Sequence, residues 1–354
     1  MEARACPWLE SAVAASGTVA VRNVFLHVTM ACNLRCDYCY FSASRPLPGE
    51  MTAAELGRMW PELVAVGPQK VVFTGGEPLL RGDILDLLAG LRDADPGHRV
   101  QRCLNSNGHL VTAALANALV GLADEVRVSI DALARRNDAH RGAGNFVAAL
   151  AALDRYYAAG FEPKVLVTVT SATLPDLEDL LCLLASRNIT RVNLNLLRPI
   201  GRGRNMRSLV VRPEQVRAAI RRAWDRAFPG RPPPEEPSGP VSCANCGVGS
   251  FLNIMPDGDV FPCHVLTRPE FRCGNVREDS LTKICHRSGL LGRLQALDFA
   301  ELARTDERVA ELTRPGACMG TVYAATRELT VWRDNLPLAR PAADRAGTRG
   351  RGHD

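Results

Sequence analysis

The chain has no apolar run approaching the length that crosses a bilayer, and its N-terminus lacks the charged, apolar, small-residue order of a secretion signal. These absences argue against a membrane-spanning or exported protein and lead to an expected cytoplasmic location. The arginines are scattered rather than interleaved with aromatics. The net charge of +5 and the pI near 8.6 therefore read as a solvated surface, not a nucleic-acid site. What the chain does have is cysteine, twelve in 354 residues. In a cytosolic protein so many thiols argue for metal ligation or catalysis rather than disulfides. The length suffices for one large barrel domain and a smaller appendage.

Three of the cysteines lie together. Cys32, Cys36 and Cys39 in CNLRCDYCYF have the spacing CxxxCxxC and follow the apolar run VFLHVTM, which reads as a strand. Three thiolates this close can wrap the corner of an iron–sulfur cube and leave its fourth iron without a protein ligand. A structural zinc site is the alternative, but it takes four ligands and favours paired CxxC knuckles. No fourth cysteine lies nearby.

The spacing, with Tyr38 just before the third cysteine, resembles the radical S-adenosylmethionine (radical SAM) family. The resemblance implies that the open iron of a [4Fe–4S] cluster chelates S-adenosylmethionine. An electron from the reduced cluster then splits the sulfonium into methionine and a 5′-deoxyadenosyl radical, which takes a hydrogen atom from the substrate.

The rest of the first two thirds alternates strand and helix. Strands are expected at 22–29, 70–74, 99–104, 125–130, 164–170 and 191–197, and helices at 51–66, 83–91, 110–122, 146–159, 177–187 and 213–228. The expected class is α/β, a partial (β/α)6 TIM-like barrel with active-site loops at the carboxyl ends of its strands. The second strand ends in Gly75, Gly76, Glu77 and Pro78, where Gly-Gly lets backbone carbonyls approach a ligand. An ordinary strand-to-helix turn is the other reading. GGEP resembles the family's segment for the methionyl amino group. By the same resemblance Ser129 and Asp131 match positions that bond the cofactor's ribose or carboxylate, Arg141 pairs with its carboxylate, and Ser106 and Asn107 line the same mouth.

After 230 the composition changes. RPPPEEPSGP (231–240) reads as a linker, a second domain spans 241–332, 1–20 is a small-residue lead-in and 333–354 reads as a disordered tail. The stretch CGVGSFLNIMPDGDVFPC resembles the opening of the SPASM and twitch extensions of radical SAM enzymes, a β-hairpin with helix that carries auxiliary [4Fe–4S] clusters. That resemblance implies one auxiliary cluster on Cys243, Cys246, Cys263 and Cys318, since the cysteine run for a second is absent. A zinc ribbon is the other reading. Cys273 or Cys285 could replace Cys318, pack in the core, or stand as a free thiol facing the substrate, with Cys273 the candidate hydrogen donor. Cys6, Cys103 and Cys182 read as structural.

An auxiliary cluster implies an oxidative outcome, because it can take the electron left on a substrate radical. Dehydrogenation or crosslinking of a ribosomally made peptide, or oxidation of a small sugar or aminocyclitol, is therefore expected, with a low-potential flavodoxin-type electron donor. No N-terminal domain for gripping a leader peptide is evident. A redox-neutral epimerase with a thiol hydrogen donor is the alternative. A cyclase like that of molybdopterin precursor synthesis is a third, although the chain ends RGRGHD rather than Gly-Gly. A non-catalytic iron–sulfur electron carrier is a reading of another class.

Overall fold

A computed structural model of the protein describes residues 19–211, 213–233, 247–286 and 289–296. The expected tail, most of the linker and lead-in, and Cys6, Cys243, Cys246 and Cys318 lie outside the described residues. Six strands, β1 (Asn23–Thr29), β2 (Lys70–Gly75), β3 (Gln101–Ser106), β4 (Glu125–Ser129), β5 (Lys164–Val169) and β6 (Arg191–Leu196), pair in parallel in chain order. Between them run α1 (Ala53–Val66), α2 (Ile84–Ala94), α3 (Ala113–Ala118), α4 (Ala134–Arg141), α5 (Asn145–Ala158) and α6 (Leu177–Ser186), and α7 (Pro213–Ala227) follows the last strand.

Each helix forms for a local reason. In α1 the Thr52 and Glu55 side chains make a reciprocal capping box, Gly67 closes the last turn, and Leu56, Met59, Trp60, Leu63 and Val64 bury one stripe on the sheet. Strand side chains alternate. Val24, Leu26 and Val28 of β1 join the core beneath the helices, so Phe25, His27 and Thr29 face the barrel's interior. The same parity turns Thr74, Asn105, Ser129, Thr168 and Asn195 inward at the carboxyl ends of β2 to β6.

The hairpin beyond the linker does not stand apart. Strand β7 (Phe251–Ile254) pairs in parallel with β1, from Asn23 against Phe251 to Leu26 against Ile254, and β8 (Asp259–Phe261) and β9 (Gly274–Asn275) extend the same sheet antiparallel. Two short helices follow, α8 (Leu281–Ile284) and α9 (Leu290–Gln295). Leu252, Ile254, Val260, Leu281 and Leu291 share one core with the barrel helices. The reason is the β1 edge, whose unpaired backbone groups are satisfied by the next strand that reaches them. Among the described residues no helix is long and apolar enough to cross a membrane.

The far side of the hairpin is tied to α1 by Arg277, which donates to Glu55 at 2.8 and 3.2 Å, to Gly49 O at 2.9 Å and to Asp257 O at 3.3 Å. Bonds from the Arg277 guanidinium, with those from Thr52, hold the Glu55 carboxyl down at about 2, below its ordinary 4.5. A depressed acid contributes stability above its unfolded value and loses it as pH falls through the folded one. E55Q should thus raise hydrogen exchange in the 255–259 turn at pH 6, and the wild-type advantage should shrink below about pH 4.5. Equal exchange in the two proteins at pH 6 would refute this link.

Candidate active site

The cysteine loop is braced from behind. Arg202 donates from Nε to Cys36 O (2.7 Å), from Nη1 to Ala43 O (2.9 Å) and from its backbone N–H to Cys39 O (3.1 Å). A Cβ on Gly201 would lie 2.2 Å from Tyr40 O and 2.3 Å from Cys39 O, and its φ of +55° is left-handed. Only glycine allows this close approach. Met30 N–H donates to Glu50 Oε1 at 2.7 Å, and Cys32 N–H to Ser44 O at 3.0 Å. The sulfurs themselves are lightly engaged: Leu34 N–H donates to Cys32 Sγ (3.4 Å) and Cys36 Sγ to Arg141 O (3.8 Å). Burial raises the thiols, Cys32 to about 11 and Cys36 in the same direction, so metal ligation there releases protons.

Gly75 and Gly76 permit a close approach, and the structure shows what they approach. Gly76 N–H and Glu77 N–H donate to Thr29 O and Ala31 O, each at 2.8 Å, and a Cβ on Gly76 would lie 2.1 Å from Ala31 O. The GGE segment is thus zipped to the base of the cysteine loop. G76A must displace that backbone, and lower iron and sulfide content per chain after anaerobic reconstitution is expected, with a lower melting temperature. Wild-type values for both would refute the zipper.

Glu77 is buried beneath the loop. It accepts from Ser106 Oγ (3.0 Å), Asn107 N–H (2.7 Å) and Leu79 N–H (3.2 Å), capping the short turn Pro78–Leu80, and burial pushes its carboxyl up to about 7 against these bonds. From there a line of amides crosses the barrel mouth. Asn107 Nδ2 donates to Asn33 Oδ1 on the cysteine loop (2.7 Å), Asn145 Nδ2 to Asn107 O (2.9 Å), Asn137 Nδ2 to Asn145 Oδ1 (3.1 Å), and Asp131 N–H to Asn137 Oδ1 (3.0 Å). Asn137 and Asn145 are fully buried.

Asp131 ends that line as an anchor. Its carboxylate accepts Arg141 Nε and Nη2, the Tyr38 hydroxyl and Thr168 N–H, the last at 2.6 Å. The Arg141 guanidinium carbon also sits 5.7 Å from the Tyr38 ring centre. Tyr38, Asp131 and Arg141 therefore meet one another in the structure, and the arginine expected at a cofactor carboxylate has a protein carboxylate as its partner. Ser129 is half-buried on the inner face of β4.

Three buried polar atoms on the inner face have no partner among the described residues: His27 Nδ1, Asn105 Oδ1 and Asn253 Nδ2. His27 Nε2–H donates to Asn253 Oδ1 at 3.1 Å, which leaves Nδ1 an acceptor, and burial holds this imidazole neutral, down at about 4. Buried orphans of this kind fit a polar ligand in the barrel. Between the cysteine loop and the hairpin opens a cavity of about 820 Å³, walled by Met30, Phe41, Ile200, Arg204, Met255 and Phe261. Among the described residues no three Cys, His, Asp or Glu side chains converge on a single-ion cage. A cube takes one thiolate per iron, so its sulfurs stand apart on their loop.

Of the other described cysteines, Cys263 follows β8 after Pro262, Cys103 is buried on β3, and Cys182 is half-buried on α6. Cys285 is fully buried in the shared core, and Cys273 packs against that core with its thiol donating to Phe271 O at 3.5 Å. Burial pushes both up to about 12. Sequence reasoning passed over Asn33, Glu50, Asn137, Asn145 and the bracing role of Arg202. Buried asparagines beside an expected mouth were the available signal.

Comparisons with known proteins bear on this arrangement. The Radical SAM superfamily profile matches residues 26–181, and that of an iron-sulfur cluster-binding domain, SPASM, matches 243–308. Mycofactocin maturase MftC of Mycobacterium ulcerans is 32% identical over 267 residues, 71% of this chain and 70% of that protein. The structure of anSMEcpe with bound AdoMet and Kp18Cys peptide superposes with a TM-score of 0.65 at 17% identity, covering 88% of this chain and 99% of that one. Streptococcus suis SuiB bound to precursor peptide SuiA superposes with a TM-score of 0.64 at 16% identity, covering 82% and 69%. With the braced three-cysteine loop, the parallel barrel and the hairpin on its edge, these matches show that the chain is an enzyme of the radical SAM superfamily with a SPASM domain, a class that uses S-adenosylmethionine, a [4Fe–4S] cluster and auxiliary iron–sulfur ligation.

Proposed function

We propose that the enzyme oxidatively modifies a peptide. The observation that carries this reading is the cavity, which opens between the cysteine loop and the hairpin and is large enough for several side chains. Similarity to MftC, and likeness in fold to two proteins whose structures hold peptides, supports it.

In this reading Cys32, Cys36 and Cys39 hold the cluster that binds S-adenosylmethionine, and Cys243, Cys246, Cys263 and Cys318 hold one auxiliary cluster. When bound, the first cluster supplies an electron to the sulfonium and the auxiliary cluster accepts one from the substrate. The chain's own groups do the positioning. Asp131, Arg141 and Tyr38 fix the cysteine loop from the barrel side, and Arg202 fixes it from the other. Asn105 Oδ1 and His27 Nδ1 offer acceptors to the bound molecules. Phe41, Ile200 and Met255 keep water from the reacting carbon. The peptide would lose two hydrogens, one as an atom and one as an electron and a proton; the bound cofactor and auxiliary cluster would supply the acceptors and solvent would take the proton. A low-potential flavodoxin-type protein is the proposed donor for the first electron.

The test uses anaerobically reconstituted enzyme, a reductant, S-adenosylmethionine and peptides with deuterated side chains. Deuterium in 5′-deoxyadenosine and a peptide lighter by two hydrogens are expected. A peptide that keeps its full hydrogen count but, in heavy water, takes up solvent deuterium at a stereocentre would replace oxidation by epimerisation. Failure of every peptide to donate deuterium, while the cofactor is still cleaved, would overturn the peptide reading.

A further inference from the structure

The segment GRGRNMRSL, Gly201–Leu209, carries three arginines with different fates. Arg202 is spent on the carbonyls of the cysteine loop. Arg204 and Arg207 are exposed, both line the cavity, and neither has a carboxylate within ion-pair reach among the described residues. They stand on either side of a kink at Met206, and both side chains reach the same cavity.

Across the cavity the charges are already matched in part. Arg272 donates to Asp259 at 2.5 Å and to Glu278 at 3.1 Å, and Arg268 lies 3.7 Å from Glu270. Among the described lining residues the acids, Asp257 and Asp259, belong to the wall that holds Arg268 and Arg272, so the positive charge of Arg204 and Arg207 on the facing wall stays unmatched. Concave walls focus such a field. The neighbouring Phe41 and Ile200 supply apolar surface for a flanking side chain.

We propose that this cavity selects a peptide substrate bearing two adjacent acidic side chains, which Arg204 and Arg207 grip as guanidinium–carboxylate pairs. The proposal rests on the peptide reading above and adds the substrate's charge to it. Two neighbouring guanidiniums match two carboxylates, whereas a peptide C-terminus or the cofactor's carboxylate brings only one. Because Arg202 is bonded to Cys39 O and Cys36 O, an acidic pair held by Arg204 and Arg207 is indexed to the cysteine loop. The residue next to that pair is thereby presented to the reacting centre.

The experiment uses the full-length, anaerobically reconstituted enzyme with S-adenosylmethionine present. Fluorescence anisotropy compares an amidated, fluorescein-labelled probe containing Glu-Glu-Leu-Tyr with a Gln-Gln counterpart carrying a free C-terminal carboxylate, over a range of salt. The Glu-Glu probe is expected to bind roughly tenfold tighter or more, with the preference shrinking as salt rises. R204E/R207E should reverse the choice towards a Lys-Lys probe, a gain that a misfolded variant cannot give. Equal binding of the two probes, no binding of either, or tighter binding of the free-carboxylate probe overturns the proposal, as does a Glu-Glu preference that survives in R204E/R207E. These outcomes are separate from failure of the peptide reading, which shows in the deuterium assay.

Discussion

Replacing Cys32, Cys36 and Cys39 together by alanine is expected to bring 5′-deoxyadenosine formation down to the level of protein-free buffer. The metal-free protein should keep its melting temperature. The two halves of this result have different origins. Cofactor cleavage needs an iron held by thiolates and still open to a small ligand, and removing all three thiolates leaves nothing to hold it. The loop's shape, by contrast, owes little to sulfur. Its side-chain bonds are one acceptance at 3.4 Å and one donation at 3.8 Å, whereas Arg202, Glu50 and the GGE segment supply the bracing. Liquid chromatography with mass detection under strong reductant measures the first, and a thermal melt of metal-free protein the second. Product at the wild-type level in the triple variant would mean that cleavage occurs elsewhere. A collapsed melt would mean that the loop is built on its thiols.

The second large effect is expected at Asp131. In D131N the buried Arg141 guanidinium loses its counter-charge, a kind of change that costs about 3–5 kcal/mol. The cost arises from leaving a charge in the barrel wall, not from the worth of the pair. The same reasoning predicts partial recovery: D131N/R141M, which removes both charges, should be less destabilised than the sum of the two single variants. Chemical denaturation of the four proteins closes the cycle. Strict additivity, or a D131N protein as stable as wild type, would show that water reaches Arg141 and that the pair is not an anchor. The loss should also reach the cysteine loop, because the Tyr38 hydroxyl and the Cys36 thiol both end on this pair, one on the Asp131 carboxylate and one on Arg141 O. Iron content after reconstitution is therefore expected to fall in D131N more than in D131N/R141M.

The parallel barrel was legible because most strands are short apolar or β-branched runs and most of the main helices carry an apolar stripe, both patterns local to a few residues. The expected strand and helix ranges accordingly differ from the observed ones mostly by a few residues at the ends. Helix α4 was not legible. ARRNDAHR has no apolar face, and it is held instead by tertiary bonds, Arg141 on Asp131 and Asn137 on Asn145. The hairpin was legible from PDGD between two apolar runs, but its attachment to β1 was not, since parallel pairing across more than two hundred residues leaves no mark in either strand.

The glycines of the site divide the same way. Their presence after a strand announced a close approach, yet only the folded chain shows that the partner is Thr29 and Ala31 rather than a ligand alone. Asp131 and Arg141 likewise stood in the chain as two charges ten residues apart, each a candidate for the cofactor. Burial decided that they take each other, because an isolated charge in the barrel wall costs far more than a matched pair. Residue type and spacing along the chain were thus enough for the chemistry of the cysteine loop and the class of fold, both being short-range properties. Which polar groups remain for ligands, and which arginines face the cavity unmatched, depended on long-range packing, because a side chain's partner is set by what the fold brings beside it.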